Sequence, residues 1–195
     1  SILLQSVFLS YLIFGTFFGS EILAANHILL QIIFLSAYAL DGIAFSSEIL
    51  VGEAIGQKRL QSFKKIVRSS LKLGFIFSSV IGIFFYLFGF FIVDLMTSLK
   101  SVRLICYEYI VWISIIPFIS VSSYVYDGIF LGAARGKEIR VAMTQSFAIF
   151  FICVISLVPL MGNIGLWTSI VVFNAVRALT LWAKVDRIEA SFSSN

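Results

Sequence analysis

Two stretches of this chain set an ionisable carboxylate inside a long apolar run. They are Tyr38-Ala-Leu-Asp41-Gly42-Ile43 and Tyr124-Val-Tyr-Asp127-Gly128-Ile129. A third apolar run carries a cation, Arg177. Such groups can take up a proton or a metal cation, or they can pair with one another. Placing one at membrane depth costs roughly 2.5–3.5 kcal/mol on insertion scales. Each is therefore either compensated by a partner or kept for moving charge. Further candidates surround them. Tyr38 and Tyr124 each precede an aspartate by three positions, so ring and carboxylate share a helix face and the hydroxyl could donate to the carboxylate. Glu48 lies seven positions after Asp41, on the same face. Asn174 lies three before Arg177 and could join the same network.

Other chemistries lack their residues. There is one histidine, His27, and no serine or cysteine with a plausible base beside it. No H-E-x-x-H, clustered metal ligands or phosphate loop is present, so no catalytic residue, metal site or cofactor is assigned and the chain does not read as an enzyme. Cys106 and Cys153 both sit in apolar runs and read as buried thiols. The net charge of +4 does not point to nucleic acid, because the basic residues fall between the apolar runs.

The elements that carry these residues are membrane spans. The chain is 60% hydrophobic and only 12% charged, with a mean hydropathy of +1.05. Soluble domains are about 45–50% apolar and about 25% charged. Residues 1–20, 22–40, 73–93 and 109–126 carry no formal charge, and each run is close to the ~20 residues that cross a bilayer. The charge-free run 141–176 is too long for one span, and Pro159-Leu-Met-Gly162-Asn163-Ile-Gly165 divides it. The expected fold is an all-α integral membrane bundle, a single six-helix transmembrane lobe over 1–195. Its spans are about 1–19, 24–52, 70–96, 103–134, 138–160 and 163–184.

Basic residues orient the bundle. Lys58, Arg59, Lys64, Lys65, Arg68 and Lys72 lie between the second and third spans. Arg135, Lys137 and Arg140 lie between the fourth and fifth, and Lys184 and Arg187 follow the sixth. The positive-inside rule makes these segments, and so the C-terminus, cytoplasmic in a multi-pass protein of the cell inner (plasma) membrane. Gly56 to Arg68 mixes basic and apolar residues at helical spacing. It is either an amphipathic helix on the inner surface or the start of the third span. Ser1 lies in an apolar run with no initiator Met, basic n-region or cleavage site. The first run is expected to be a span rather than a signal peptide, and the chain a fragment or the second half of a larger protein.

In this topology the spans bearing Asp41, Asp127 and Arg177 run parallel. Counting from the inner basic boundary, Asp127 and Arg177 sit roughly 10–12 Å deep and Asp41 about 16 Å deep. Arg177 is expected to pair with Asp127 or with Asp41, leaving the other protonated, hydrated or differently paired. Two roles are open: a clasp that braces three helices, or a coupling site in which an aspartate takes up an ion and exchanges partners. The four-residue spacings Gly15/Gly19, Gly52/Gly56 and Gly128/Gly132 allow close helix contact. Pro117 is expected to kink or loosen the fourth span.

Several motifs resemble a known family. Ala24-Ala-Asn-His-Ile-Leu-Leu-Gln31, Tyr38-Ala-Leu-Asp-Gly-Ile-Ala-Phe45 and Val51-Gly-Glu-Ala-Ile-Gly56 resemble the eighth helix of multidrug and toxic compound extrusion (MATE) transporters, in their DinF-like branch. Asp127-Gly-Ile-Phe-Leu-Gly-Ala-Ala-Arg135-Gly-Lys-Glu-Ile-Arg140 resembles helix ten. Gly162-Asn-Ile-Gly-Leu-Trp167 and Ala175-Val-Arg-Ala-Leu-Thr-Leu-Trp182 resemble helix twelve. The resemblance implies the C-terminal half, helices seven to twelve, of a secondary antiporter that exports organic or xenobiotic compounds in exchange for H+ or Na+ by alternating access. The implied partners are the bilayer, a small organic substrate and an N-terminal six-helix lobe that is separate or missing. Residues 1–20 hold no acid to match the helix-seven cation ligand of some members, and the proton-linked carboxylates of this branch are implied in the N-terminal lobe. A lipid-linked precursor flippase of the same superfamily, or a non-transporting remnant of a split gene, are the alternatives.

Overall fold

In hydrocarbon a backbone must satisfy its own N–H and C=O groups, and long runs of Leu, Ile, Phe and Val do so as helices. The computed structural model describes residues 2–192. In order they form α1 (Ile2–Gly15), a 3-10 turn (Thr16–Phe18), α2 (Ser20–Gly56), α3 (Leu60–Met96), α4 (Lys100–Glu108), α5 (Ile110–Gly132), α6 (Gly136–Met161), α7 (Asn163–Trp182) and α8 (Val185–Ser191). No strand occurs among the described residues. Among the described residues, five stretches are long and apolar enough to cross a bilayer: α2, α3, α5, α6 and Asn163–Ser191. The first expected span, 1–19, is instead the 14-residue helix α1 followed by the 3-10 turn.

Other boundaries also differ from the sequence reading. The expected fourth span is two helices, α4 and α5, with a break at Tyr109. Arg103 ties α4 back to the end of α3, donating to the Thr97 carbonyl at 2.7 Å and to the Asp94 carbonyl at 2.9 Å. The Tyr107 hydroxyl donates to the Asp94 carboxylate. The independent surface helix at Gly56–Arg68 does not form. Instead α3 starts at Leu60 and runs unbroken for 37 residues, roughly 55 Å at 1.5 Å per residue against a hydrocarbon core of ~30 Å. Its protruding start is gripped by α8, which the sequence reading did not foresee. Phe63 is fully buried and packs on Phe192 at 5.5 Å, and Lys64 Nζ lies 2.8 Å from Glu189 Oε2.

The turn expected near Pro159 falls at Gly162, whose φ of +59° suits glycine and reverses the chain into α7. Pro117 is accommodated within α5, which continues past it. Two apolar clusters form the core. One gathers around Trp167, Tyr11, Phe150 and Phe173, the other around Phe63, Ile129, Phe130 and Leu181. On α7, Arg177 falls between Phe173 of the first and Leu181 of the second.

The contact of α2 with α5 rests on absent side chains. A Cβ on Gly128 would run into the carbonyl of Ala44, and one on Gly132 into the carbonyl of Glu48. Small residues four apart let two backbones touch in this way. Gly42, the counterpart of Gly128 in the repeated motif, has nothing near the position of a Cβ. The two copies share letters but not surroundings, so the two glycines should respond oppositely. Gly128→Val is expected to destabilise the bundle by about 1–3 kcal/mol through overpacking. Gly42→Ala should be neutral or stabilise by up to about 1 kcal/mol through helix propensity. Thermal unfolding of the two variants in one detergent checks the contrast.

Candidate functional site

α2, α5 and α7 converge on a cavity of about 570 Å³. Six of the seven residues singled out in the sequence line it: Tyr38, Asp41 and Glu48 from α2, Tyr124 and Asp127 from α5, and Arg177 from α7. Phe8 and Phe34 close part of its wall. The α2–α5 glycine contact sets this geometry, because it brings the acidic face of α2 against the turn of α5 that holds Asp127.

Arg177 is 5% exposed. A guanidinium at that burial must be paired, and its Nη2 meets Asp127 Oδ2 in an ion pair. The choice between Asp127 and Asp41 is thus made in favour of Asp127. The pair is not saturated: Asp127 Oδ1 and Arg177 Nε are both buried without a hydrogen-bond partner. Asp41 makes no hydrogen bond or ion pair among the described residues, yet it opens on the same cavity and lies within electrostatic reach of Arg177. Two carboxylates therefore face one cation, one bound to it and one free.

Three expectations about neighbouring side chains need correction. The Tyr38 side chain is 73% exposed and stands at the cavity lip. Neither its hydroxyl nor that of Tyr124 bonds an aspartate among the described residues. The three-residue offset shares a face but points ring and carboxylate along different directions. Asn174 does not join the ion pair. Its amide donates to the Ile170 carbonyl at 3.0 Å and accepts from Ser123 Oγ at 3.5 Å. It lines a separate small void with Tyr124 and Ser120. Glu48 does reach the acid cavity, where its carboxylate adds a third negative group near the lip.

The sequence reading missed a second polar junction toward the other end of the lobe. Asn26 and Asn163, both buried, exchange amide hydrogen bonds at 2.7 and 3.0 Å. Trp167 Nε1 donates to Asn26 Oδ1 at 3.1 Å, and Tyr11 packs edge-on against the Trp167 ring at 5.4 Å. This junction ties the start of α7 to α2 and α1. The one sequence signal was an uncharged amide in each of two apolar runs, which alone does not say that they meet. His27, beside Asn26, is exposed and lies 3.5 Å from Gln31, on the rim of an apolar pocket between α1 and α2.

A family model, MatE, matches residues 1–160. The chain belongs to the MatE family. DNA damage-inducible protein F of Escherichia coli (strain K12) is 34% identical over 94% of this chain and 40% of its own length. A probable multidrug resistance protein NorM of Photorhabdus laumondii is 25% identical over 84% of the chain and 38% of its own length. Among solved structures, the Vibrio cholerae MATE transporter VcmN in its bent form superposes with a TM-score of 0.85 at 20% identity. It covers 97% of this chain and 43% of that one. An outward-facing MATE family transporter of the MOP superfamily superposes at 0.84 with 17% identity, over 100% of this chain and 44% of that one. The chain thus spans about two fifths of the curated relatives it matches. Its fold is that of one lobe of a MATE transporter, and it is a multi-pass membrane protein of a family of transporters rather than enzymes.

Removing one partner of the Arg177–Asp127 pair in this MATE lobe should destabilise it. Arg177→Met strands a buried carboxylate and should cost roughly 3–5 kcal/mol. Replacing both partners, Arg177→Met with Asp127→Leu, should recover most of that loss. Unfolding midpoints of the wild type, the single and the double variant in mixed micelles decide the point. An unchanged midpoint in the single variant would contradict it.

Proposed function

We propose that this chain is the C-terminal six-helix lobe of a MATE-type secondary antiporter. Joined to an N-terminal lobe, it exports organic or xenobiotic compounds in exchange for H+ or Na+ by alternating access. The observation that carries the reading is the acid cavity at membrane depth, with Asp41 unpaired beside an incompletely satisfied Arg177–Asp127 pair. A carboxylate held near a cation, but not bonded to it, can take up a proton or a sodium ion with little rearrangement. Neutralising it shifts the charge balance against Arg177, and that shift is a differential interaction able to bias two states of the lobe. The family membership and the names of the multidrug relatives support the substrate class. The basic segments 56–72 and 135–140 and the basic residues after α7 support an inner-membrane location with the C-terminus cytoplasmic.

Export should need both carboxylates. In a two-lobe protein reconstituted in vesicles, Asp41→Asn and Asp127→Asn are each expected to lower ion-driven efflux of a cationic dye at least about tenfold, the weight of one charge-assisted interaction. Full efflux by both variants at equal reconstitution would remove these acids from the coupling step. Topology has its own check. A C-terminal fusion to green fluorescent protein should fluoresce in a bacterial host, and a C-terminal alkaline phosphatase should be inactive.

A further inference from the structure

On another side of the bundle, α3, α5, α7 and the α7–α8 corner enclose a second cavity, of about 310 Å³, at the end that carries the basic loops. Its walls are Val67 and Leu71 of α3, Tyr126 of α5 and Trp182 at the end of α7, and Asp186 and Glu189 of α8 form a polar rim. Tyr126 is only 6% exposed, and its hydroxyl makes no hydrogen bond to any described residue although the side chain lines the cavity. The hydroxyl is not itself sealed in, so it is open to a partner that enters the cavity. Glu189 is engaged by Lys64 at 2.8 Å. Asp186 has no ion pair among the described residues, so of the two rim carboxylates it is the one not bound to a cation. Lys184 and Arg187 neighbour it in sequence but do not line the cavity. Beside the opening, Trp182 is 62% exposed and Leu179, one turn before it, 61%, an apolar surface that lipid can cover. A tryptophan at a span end marks the level of the lipid headgroups.

We propose that this cavity binds a phospholipid with a primary-amine headgroup, of the phosphatidylethanolamine type. The Tyr126 hydroxyl donates to a phosphodiester oxygen. The ammonium group donates to Asp186, and the start of an acyl chain lies against Val67, Leu71 and Trp182. The same chemistry discriminates among lipids. An anionic glycerol headgroup meets the carboxylates with like charge, and a choline headgroup has no N–H to give them. The bound lipid would staple α8 to α3 and α5. None of this depends on the transport reading.

The test uses the full chain, purified, delipidated and titrated with phosphatidylethanolamine, phosphatidylglycerol and phosphatidylcholine of identical acyl chains, with bound lipid counted by native mass spectrometry. Phosphatidylethanolamine is expected to bind with the highest affinity. Asp186→Asn should weaken it about tenfold and erase its preference over phosphatidylcholine, while Tyr126→Phe should weaken all three lipids alike. Asp186 is exposed and unpaired, so its substitution leaves the fold intact. Phosphatidylglycerol binding as tightly as phosphatidylethanolamine overturns the proposal, as does phosphatidylethanolamine binding that neither substitution changes. Soluble O-phosphoethanolamine is expected not to displace the lipid, and displacement at equal concentration would overturn the assignment to a membrane lipid.

Discussion

Arg177 sits on α7 between two apolar clusters, almost wholly buried, and the Asp127 carboxylate of α5 meets it there. That contact constrains much else in the lobe. It sets the rotation of α7 about its axis, because any other rotation would leave a cation in hydrocarbon. It sets the height of α5 relative to α7. It also leaves Asp41 without the arginine, so the third helix of the group presents an unpaired acid to the cavity. A bare charge in a bilayer costs several kcal/mol for each ion.

Close packing converts that pair into a site. Lipid tails are as apolar as leucine side chains, so helices in a membrane associate through shape rather than through hydrophobic burial. Gly128 and Gly132 let α5 lie directly on the α2 carbonyls of Ala44 and Glu48. The same approach brings Asp41 and Glu48 to the cavity edge. One helix crossing thus accompanies both the Arg177–Asp127 ion pair between α7 and α5 and the unpaired Asp41 on the cavity wall. At the opposite end, the Asn26–Asn163–Trp167 junction fixes where α7 begins, so the lobe is pinned by polar contacts at two depths with apolar packing between.

Much of this architecture was legible in the residues. Charge-free runs of about twenty residues can only be helices in a membrane, and the Gly162 reversal followed from the turn signal in a run too long for one span. Topology and helical rise pointed to a pairing of Arg177 with Asp127 or Asp41, and the structure shows the pair with Asp127. The family resemblance read from short motifs is the family to which the chain belongs. Other features were hidden for a physical reason. Helical periodicity says which residues share a face, but not which neighbour that face meets. Asn174 shares a face with Arg177 and still bonds backward to Ile170. Tyr124 is one turn from Asp127 and makes no bond to it. α3 begins well before its apolar run, where Lys64 meets Glu189 of α8 and Phe63 meets Phe192 just after it, and no local pattern announces a partner more than a hundred residues away.

The sequence by itself determined that this is a membrane bundle and that Asp41, Asp127 and Arg177 interrupt its apolar runs. Those properties are one-dimensional: they depend on composition, on spacing and on the energy of charge in hydrocarbon. Tertiary structure alone decided which aspartate holds the arginine, which tyrosines stay unbonded, and that two distant asparagines meet. Those outcomes depend on the order of helices in the plane of the membrane and on the rotation of each about its axis. Both are set by side-chain shape at the contacts, where a missing methyl at Gly128 decides how near two backbones come.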